Sequence, residues 1–161
     1  INSFIGARLV FNKDAHPENW VVLPNGNIVA IDFEKDELVP AEFDLANLMD
    51  YRSLLDEKAK QHCIQTYIDS SKKYDKDSSF EFSELRYLNA VINRTISLTA
   101  AWSVPERRSM RSDRKVILNN ALQAIDKISK NHGDYYVRYK LNYSNLEEGI
   151  KKIIINIQSE D

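Results

Sequence analysis

Residues 20–32 read WVVLPNGNIVAID, two short apolar segments joined by Asn-Gly. Asn-Gly between two apolar runs is the strongest short-range signal for a β-hairpin. With this pair as the two turn residues, the register of the hairpin places Asn19 opposite Asp32. Directly opposed residues of an antiparallel pair lie on the same face of a sheet. The sequence therefore predicts an amide and a carboxylate side by side at the base of the hairpin.

A second carboxylate, that of Asp14, precedes Asn19 by five residues. The segment 12–18 is too polar, and too interrupted by Pro17, to be a strand or the interior of a helix, so we interpret it as a loop that folds back toward the hairpin. Two carboxylates and an amide oxygen in one place suit a hard divalent cation such as Mg²⁺, because Mg²⁺ prefers oxygen ligands. The loop and the hairpin together predict a magnesium site.

Composition and length exclude several classes of protein. A chain of 161 residues can bury one real core, and its formal charge of -2 gives no indication of a nucleic-acid partner. The single cysteine, Cys63, excludes an internal disulfide and fits a reducing compartment. No apolar run approaches the roughly 20 residues of a membrane span. We therefore expect a cytoplasmic protein without a membrane partner.

The remainder of the chain shows helical periodicity. Apolar residues at steps of three and four predict helices over 41–51, 56–73, 80–103 and 112–131, the third capped by Ser79. In the fourth helix the residues predicted to face inward are Val116, Leu118, Leu122, Ile125 and Ile128. The segment 134–142 suits a strand or an aromatic-rich connection, and Ser144 to Glu147 form a capping box that opens a last helix. The predicted class is α+β, mainly helical. We expect a single domain, 1–161, with the loop and hairpin in 1–40 and a helical subdomain in 41–161.

Three short motifs follow one another in the first third of the chain: DAHPEN at residues 14–19, IDFE at 31–34 and EFDLANL at 42–48. In this order and with these gaps, the sequence from residue 10 to residue 48 resembles the aminoglycoside phosphotransferase and choline/ethanolamine kinase superfamily. Protein kinases, which are related to that superfamily, likewise have an Asp five residues before an Asn and a later metal-binding Asp. The resemblance implies a protein-kinase-like C-terminal lobe whose short hairpin carries the catalytic residues. It also implies that 1–40 hold the catalytic loop and hairpin and that 41–161 form a helical substrate-binding subdomain.

The resemblance also implies a role for each matching residue. Asp14 resembles the catalytic base that orients the substrate hydroxyl. Asn19 and Asp32 resemble the ligands of Mg²⁺, and Glu34 resembles an auxiliary metal ligand, on the same face as Asp32 if the strand continues. Asp44 resembles the aspartate that supports the catalytic loop by hydrogen bonding. The implied reaction transfers a phosphoryl group from ATP to a hydroxyl of an aminoglycoside-, choline- or sugar-like small molecule, and the residues that bind this acceptor are not predicted.

Two departures from the family pattern matter. Asn12 stands where these enzymes usually have a histidine, two residues before the catalytic Asp. The 4 glycines form no G-x-G-x-x-G loop, and no strand-borne lysine for the phosphates is evident. The chain also begins with Ile1 rather than Met. We therefore expect a C-terminal lobe that lacks its N-terminal lobe and is not competent alone. The alternative is a degenerate kinase-like lobe that serves as a binding or scaffold module without catalysis.

Overall fold

The structure is a computed structural model, and it describes residues 9–11, 15–32, 38–49, 55–74, 82–101 and 111–159. Within these ranges the chain is mainly helical, with two small antiparallel sheets of two strands each. The predicted class is thereby confirmed as far as a mainly helical α+β protein. The strands are β1 (Leu9–Phe11), β2 (Trp20–Val22), β3 (Ile28–Ala30) and β4 (Leu38–Pro40). The helices are α1 (Ala41–Leu48), α2 (Glu57–Tyr74), α3 (Glu84–Ala101), α4 (Arg111–Asn131), α5 (Gly133–Arg138) and α6 (Lys140–Ser159).

The chain divides into two compact units, residues 1–87 and 88–161, and the boundary falls inside α3. The first unit contains all four strands, and the second contains α4, α5 and α6. Among the helices in the described ranges, none combines the length and the apolar character needed to cross a membrane.

In the first unit, the hairpin of β2 and β3 lies in sequence between two strands that pair with each other. β1 and β4 are antiparallel, with Leu9 paired with Pro40 and Phe11 with Leu38. The Cα atoms of such paired residues are about 4.5–5.5 Å apart. We call the pair of β1 and β4 the outer sheet. The segment that connects these two strands therefore has its two ends close together.

The hairpin forms as predicted, but its register is shifted by one residue. Val21 pairs with Val29 at the centre of the two strands. At the base of the hairpin the Ile31 N–H donates to the Asn19 carbonyl oxygen at 2.9 Å. The prediction that Asn19 lies opposite Asp32 is therefore wrong, because the residue across from Asn19 is Ile31.

Pro24 explains the shift. In the predicted two-residue turn, Pro24 would have to donate a backbone N–H to Asn27, and proline has none. Leu23 takes that place, and its N–H donates to the Asn27 carbonyl at 2.8 Å. The loop consequently has three residues and ends with Gly26 at φ 80°, the left-handed conformation that a three-residue hairpin loop requires. The Asn25 Oδ1 accepts the Asn27 N–H at 3.0 Å and stabilises the turn.

Side-chain caps set the starts of α2 and α3. Asp56 Oδ1 accepts the backbone N–H of Ala59 at 2.7 Å, and α2 begins at Glu57, close to the predicted position. Ser83 Oγ accepts the N–H of Arg86 at 3.3 Å, so α3 begins after Ser83 rather than at the predicted residue 80. The predicted cap, Ser79, lies outside the described residues.

The core of the second unit is built on one face of α4, which packs against α5 and α6. The residues of this face are at most 3% exposed, and they are Ile117, Leu118, Ala121, Ala124, Ile125 and Ile128. The predicted inward positions of Leu118, Ile125 and Ile128 are confirmed. The prediction for Val116 is wrong, since Val116 is 47% exposed. Ile117 is buried instead, because it lies four residues before Ala121 and so belongs to the stripe that returns every 3.6 residues.

A cluster of tyrosines joins α5 to α6. The ring centroids of Tyr135 and Tyr139 are 4.7 Å apart, and the rings of Tyr136 and Tyr143 are stacked at 5.5 Å. Tyr143 also donates its hydroxyl hydrogen to Asn89 Oδ1 at 2.8 Å. Burial raises the pKa of the Tyr143 phenol well above its usual value, which keeps this hydrogen in place at ordinary pH.

These contacts explain why the strand considered for 134–142 is wrong. Tyrosines four residues apart lie on the same face of a helix, where their rings can meet, whereas a strand would separate them. The last helix accordingly begins at Lys140, and Ser144 lies inside it. The prediction that Ser144 caps the start of this helix is therefore wrong as well.

Candidate functional site

Asn19 is fixed at the base of the hairpin. It is the last residue of a short 3-10 turn, Pro17–Asn19, and it directly precedes β2. Its N–H donates to the His16 carbonyl at 2.9 Å, and its carbonyl accepts the Ile31 N–H, also at 2.9 Å. The residue is 7% exposed. Both backbone polar groups and the burial together hold Asn19 in one position.

Asp32 lies one residue beyond Ile31, on the other side of the hairpin base. It is exposed and has φ 62°, the only positive φ of a non-glycine residue in the described ranges. Asp tolerates this left-handed conformation better than most residues, but holding it still costs on the order of 1–3 kcal/mol, and such strain clusters at functional sites. β3 itself ends at Ala30, so the strand does not continue through Asp32. The alternation that was predicted to place Glu34 on the face of Asp32 therefore does not apply.

The backbone of Asp32 leads to a prediction about stability. Asp32→Asn should leave the free energy of unfolding within about 0.5 kcal/mol of the wild type, because Asn also adopts the left-handed conformation readily. Asp32→Ala should lower it by about 1 kcal/mol, because Ala pays the full steric cost of that conformation. Urea unfolding of the three proteins measures both differences. Equal stabilities of the Ala and Asn variants would contradict the left-handed conformation of Asp32.

The loop before Asn19 is described from Ala15 onward, so the predicted base Asp14 and the predicted metal ligand Glu34 both lie outside the described residues. Ala15 is buried, with 5% exposure, and its carbonyl accepts the indole N–H of Trp20 at 3.2 Å. This hydrogen bond ties the residue that follows Asp14 to the first residue of β2. The structure thus fixes the C-terminal side of the predicted catalytic loop against the hairpin.

The backbone carbonyl of His16 accepts the Asn19 N–H. Its Nδ1 lies 3.6 Å from Glu18 Oε2, and its side chain is 14% exposed whereas that of Glu18 is 69% exposed. Because the carbonyl closes the 3-10 turn, His16 helps to place Asn19.

Asp44 lies in the first turn of α1 and is half-buried. Two residues before it, Glu42 is fully buried at 0% exposure and forms an ion pair with Arg86 of α3, with Oε1 3.0 Å from Nη2. In the sequence, Glu42 stands out only as the first residue of the motif EFDLANL. Local sequence gives no sign of this pair, because the two residues are separated by 44 positions.

The described oxygen donors near the hairpin base are few. Asn19 and Asp32 supply amide and carboxylate oxygens, the chemistry that a hard cation prefers. Within the ranges that the structure describes, no group of three or more His, Cys, Asp and Glu side chains is arranged to hold a metal. Of the predicted carboxylate ligands, only Asp32 falls in those ranges. The described residues therefore supply two oxygen donors of the right chemistry and do not by themselves form a metal site.

Comparison of the chain with protein-family models, with curated proteins and with solved structures gave no match. The resemblance to phosphotransferases thus rests on the sequence motifs alone.

Proposed function

We propose that this chain is the C-terminal lobe of an ATP-dependent phosphotransferase that acts on a hydroxyl of a small molecule, of the aminoglycoside, choline or sugar type. The observation that carries the proposal is the base of the hairpin. There, the carbonyl of the buried Asn19 accepts the backbone N–H of Ile31, and the next residue along the chain is the left-handed Asp32. Asn19 and Asp32 are two of the residues that the sequence motifs mark, and the second is held in a conformation that costs free energy.

The pairing of β1 with β4 supports the same proposal. The catalytic loop follows β1, and the segment with Glu34 precedes β4. Because β1 and β4 pair over Leu9–Phe11 and Leu38–Pro40, the chain that carries all four proposed metal and base residues begins and ends at one place. Phosphoryl transfer depends on positioning and on electrostatic stabilisation more than on covalent chemistry by the protein.

Each proposed residue has a definite task. Asp14 orients the substrate hydroxyl and accepts its proton while the oxygen bonds to the γ-phosphorus and the bond to ADP breaks. Asn19, Asp32 and Glu34 would hold Mg²⁺, which when bound supplies charge neutralisation at the phosphate oxygens. Asp44, in the first turn of α1, supports the catalytic loop by hydrogen bonding and thereby keeps Asp14 in position.

The outer surface of the hairpin favours a partner for this lobe. Val22 is 69% exposed and the residue paired with it, Ile28, is 63% exposed, while Val21 and Val29 are each 39% exposed. Val22 and Ile28 form an apolar pair on one face of the hairpin, and Val21 and Val29 form a second pair on the other face. Exposed apolar surface of this kind often marks an interaction site. We propose that a nucleotide-binding segment of the same protein, outside the 161 residues of this chain, covers the hairpin and supplies the glycine-rich loop and the lysine.

If another segment supplies the glycine-rich loop and the lysine, the isolated chain should bind nucleotide weakly. Without a glycine-rich loop and its lysine, half of the phosphate contacts are missing, so we expect a Kd for Mg-ATP of about 1 mM or weaker. Isothermal titration calorimetry of the 161-residue chain measures this value. A micromolar Kd would show that the chain holds a complete nucleotide site.

The proposal itself is tested on the full-length protein. Incubation with γ-labelled ATP, Mg²⁺ and a panel of aminoglycosides, choline, ethanolamine and sugars should give labelled product with at least one acceptor. Transfer to none of them, together with no Mg²⁺-dependent release of phosphate from ATP, would contradict the enzymatic function and favour a binding module without catalysis.

A further inference from the structure

A buried charge pair fastens the beginning of α1 to the beginning of α3. Glu42 is 0% exposed and Arg86 is 8% exposed. One carboxylate oxygen, Oε1 of Glu42, accepts hydrogen bonds from Arg86 Nε at 3.0 Å and from the backbone N–H of Ser83 at 3.1 Å, and it lies 3.0 Å from Arg86 Nη2. Three donors thus converge on one buried oxygen, and all of these residues belong to the first unit.

This pair is connected directly to the strands that frame the candidate site. Glu42 is the second residue of α1, and α1 follows β4 without an intervening loop. β4 in turn pairs with β1, which leads into the catalytic loop. Asp44 lies two residues after Glu42 in the same helical turn. A displacement of Glu42 would therefore move β4 and Asp44 together.

The chemistry of the pair suits positioning better than it suits stability. A buried ion pair contributes little net stability compared with apolar side chains of similar volume, because both charges must be desolvated. Its hydrogen bonds are directional, however, and the three donors that meet at Oε1 of Glu42 restrict where this carboxylate can lie. A charge pair at this position therefore fixes the start of α1. Packing of apolar side chains is not directional and would restrict that position less.

We propose that Glu42 and Arg86 are positioning residues of the phosphotransferase site: their buried pair holds β4 and Asp44, and through β4 the strand β1, in the arrangement that phosphoryl transfer needs. The inference rests on the proposed function for its catalytic consequence. Its structural part, the control of β1 and β4 by the pair, is independent of any activity.

The test compares four forms of the full-length protein: the wild type, Glu42→Gln, the apolar double variant Glu42→Leu with Arg86→Met, and the control Ile125→Val. Glu42→Gln keeps the size of the side chain and an acceptor oxygen but removes the charge. The control lowers stability in the core of α4, since Ile125 is 2% exposed and belongs to the second unit. Residue-resolved hydrogen exchange of the β1 and β4 amides is measured for each form, together with kcat and the KM for Mg-ATP.

In Glu42→Gln, the β1 and β4 amides should exchange about tenfold faster or more than in the control, after correction for global stability. The kcat should fall by about 10- to 100-fold with little change in KM, as expected for a misplaced catalytic geometry. The double variant should regain stability but not kcat, which separates positioning from a purely structural role.

Two results would overturn the proposal: exchange in β1 and β4 that matches the control, or a double variant with wild-type kcat. If the wild type transfers no phosphate at all, the proposed function fails, and the exchange measurements alone decide whether the pair holds the two strands.

Discussion

Replacing Asp14 by Ala in the full-length protein should lower kcat for phosphoryl transfer by about 10²- to 10⁴-fold. As a hydroxyl oxygen attacks phosphorus, its hydrogen becomes strongly acidic and needs an acceptor in a fixed position. Asp14 is followed directly by Ala15, whose carbonyl is tied to Trp20, and it comes five residues before the buried Asn19. In the proposed mechanism, a carboxylate in this place would both accept the proton and aim the hydroxyl at the γ-phosphorus.

Steady-state kinetics with saturating ATP and acceptor measure the effect, and Glu18→Ala is the matched control. Glu18 is a carboxylate of the same loop with a side chain that is 69% exposed, and it has no role in the proposed chemistry. Its replacement should leave kcat unchanged. The KM for Mg-ATP should stay nearly constant in both variants, because Asp14 acts on the acceptor rather than on the nucleotide. Equal kcat values for Asp14→Ala and the wild type would refute the assignment of Asp14 as the base.

Ile128→Ala should lower the free energy of unfolding by about 2–5 kcal/mol. Ile128 is 0% exposed at the centre of the α4 face that packs against α5 and α6. Truncation to Ala removes buried methyl and methylene groups and leaves a cavity that the neighbouring helices can fill only in part. The cost combines lost transfer free energy with lost dispersion contacts along the cavity wall.

Urea denaturation followed by circular dichroism gives this difference, and Ile155→Ala on α6 serves as the control. Ile155 is 60% exposed, so the same truncation should change the free energy of unfolding by no more than about 0.5 kcal/mol. Similar losses for the two variants would mean that Ile128 does not occupy the core of the second unit.

The helices could be predicted from sequence because their apolar residues repeat at the helical period over many turns. α2 and α4 begin and end within one residue of their predicted limits. The error at Val116 is an error of one position within a correct stripe. It arose because Val116 and Ile117 are both apolar, so that local hydrophobicity alone does not choose between them, whereas the spacing to Ala121 does.

The hairpin register failed for a different reason. Asn-Gly is a strong turn signal, but it leaves the length of the loop open, and the missing N–H of Pro24 decides between the two lengths. The left-handed Asp32 and the pairing of Glu42 with Arg86 could not be predicted at all. The first is a backbone conformation that Asp adopts only in a particular context, and the second joins residues that are distant in sequence.

The placement of the hairpin inside the β1 and β4 pair has a consequence for the order of folding. The β2 and β3 strands are joined by a three-residue loop and can meet within about 1–10 μs, whereas Leu9 and Pro40 must find each other across a long stretch of chain. Once the Ile31 N–H is bonded to the Asn19 carbonyl, the flexible part of the loop between β1 and β4 is shorter. Closing the outer pair then costs less conformational entropy. We therefore expect the inner strands to form first, so that a partly folded chain carries the hairpin before the outer strands complete the surroundings of Asn19 and Asp32.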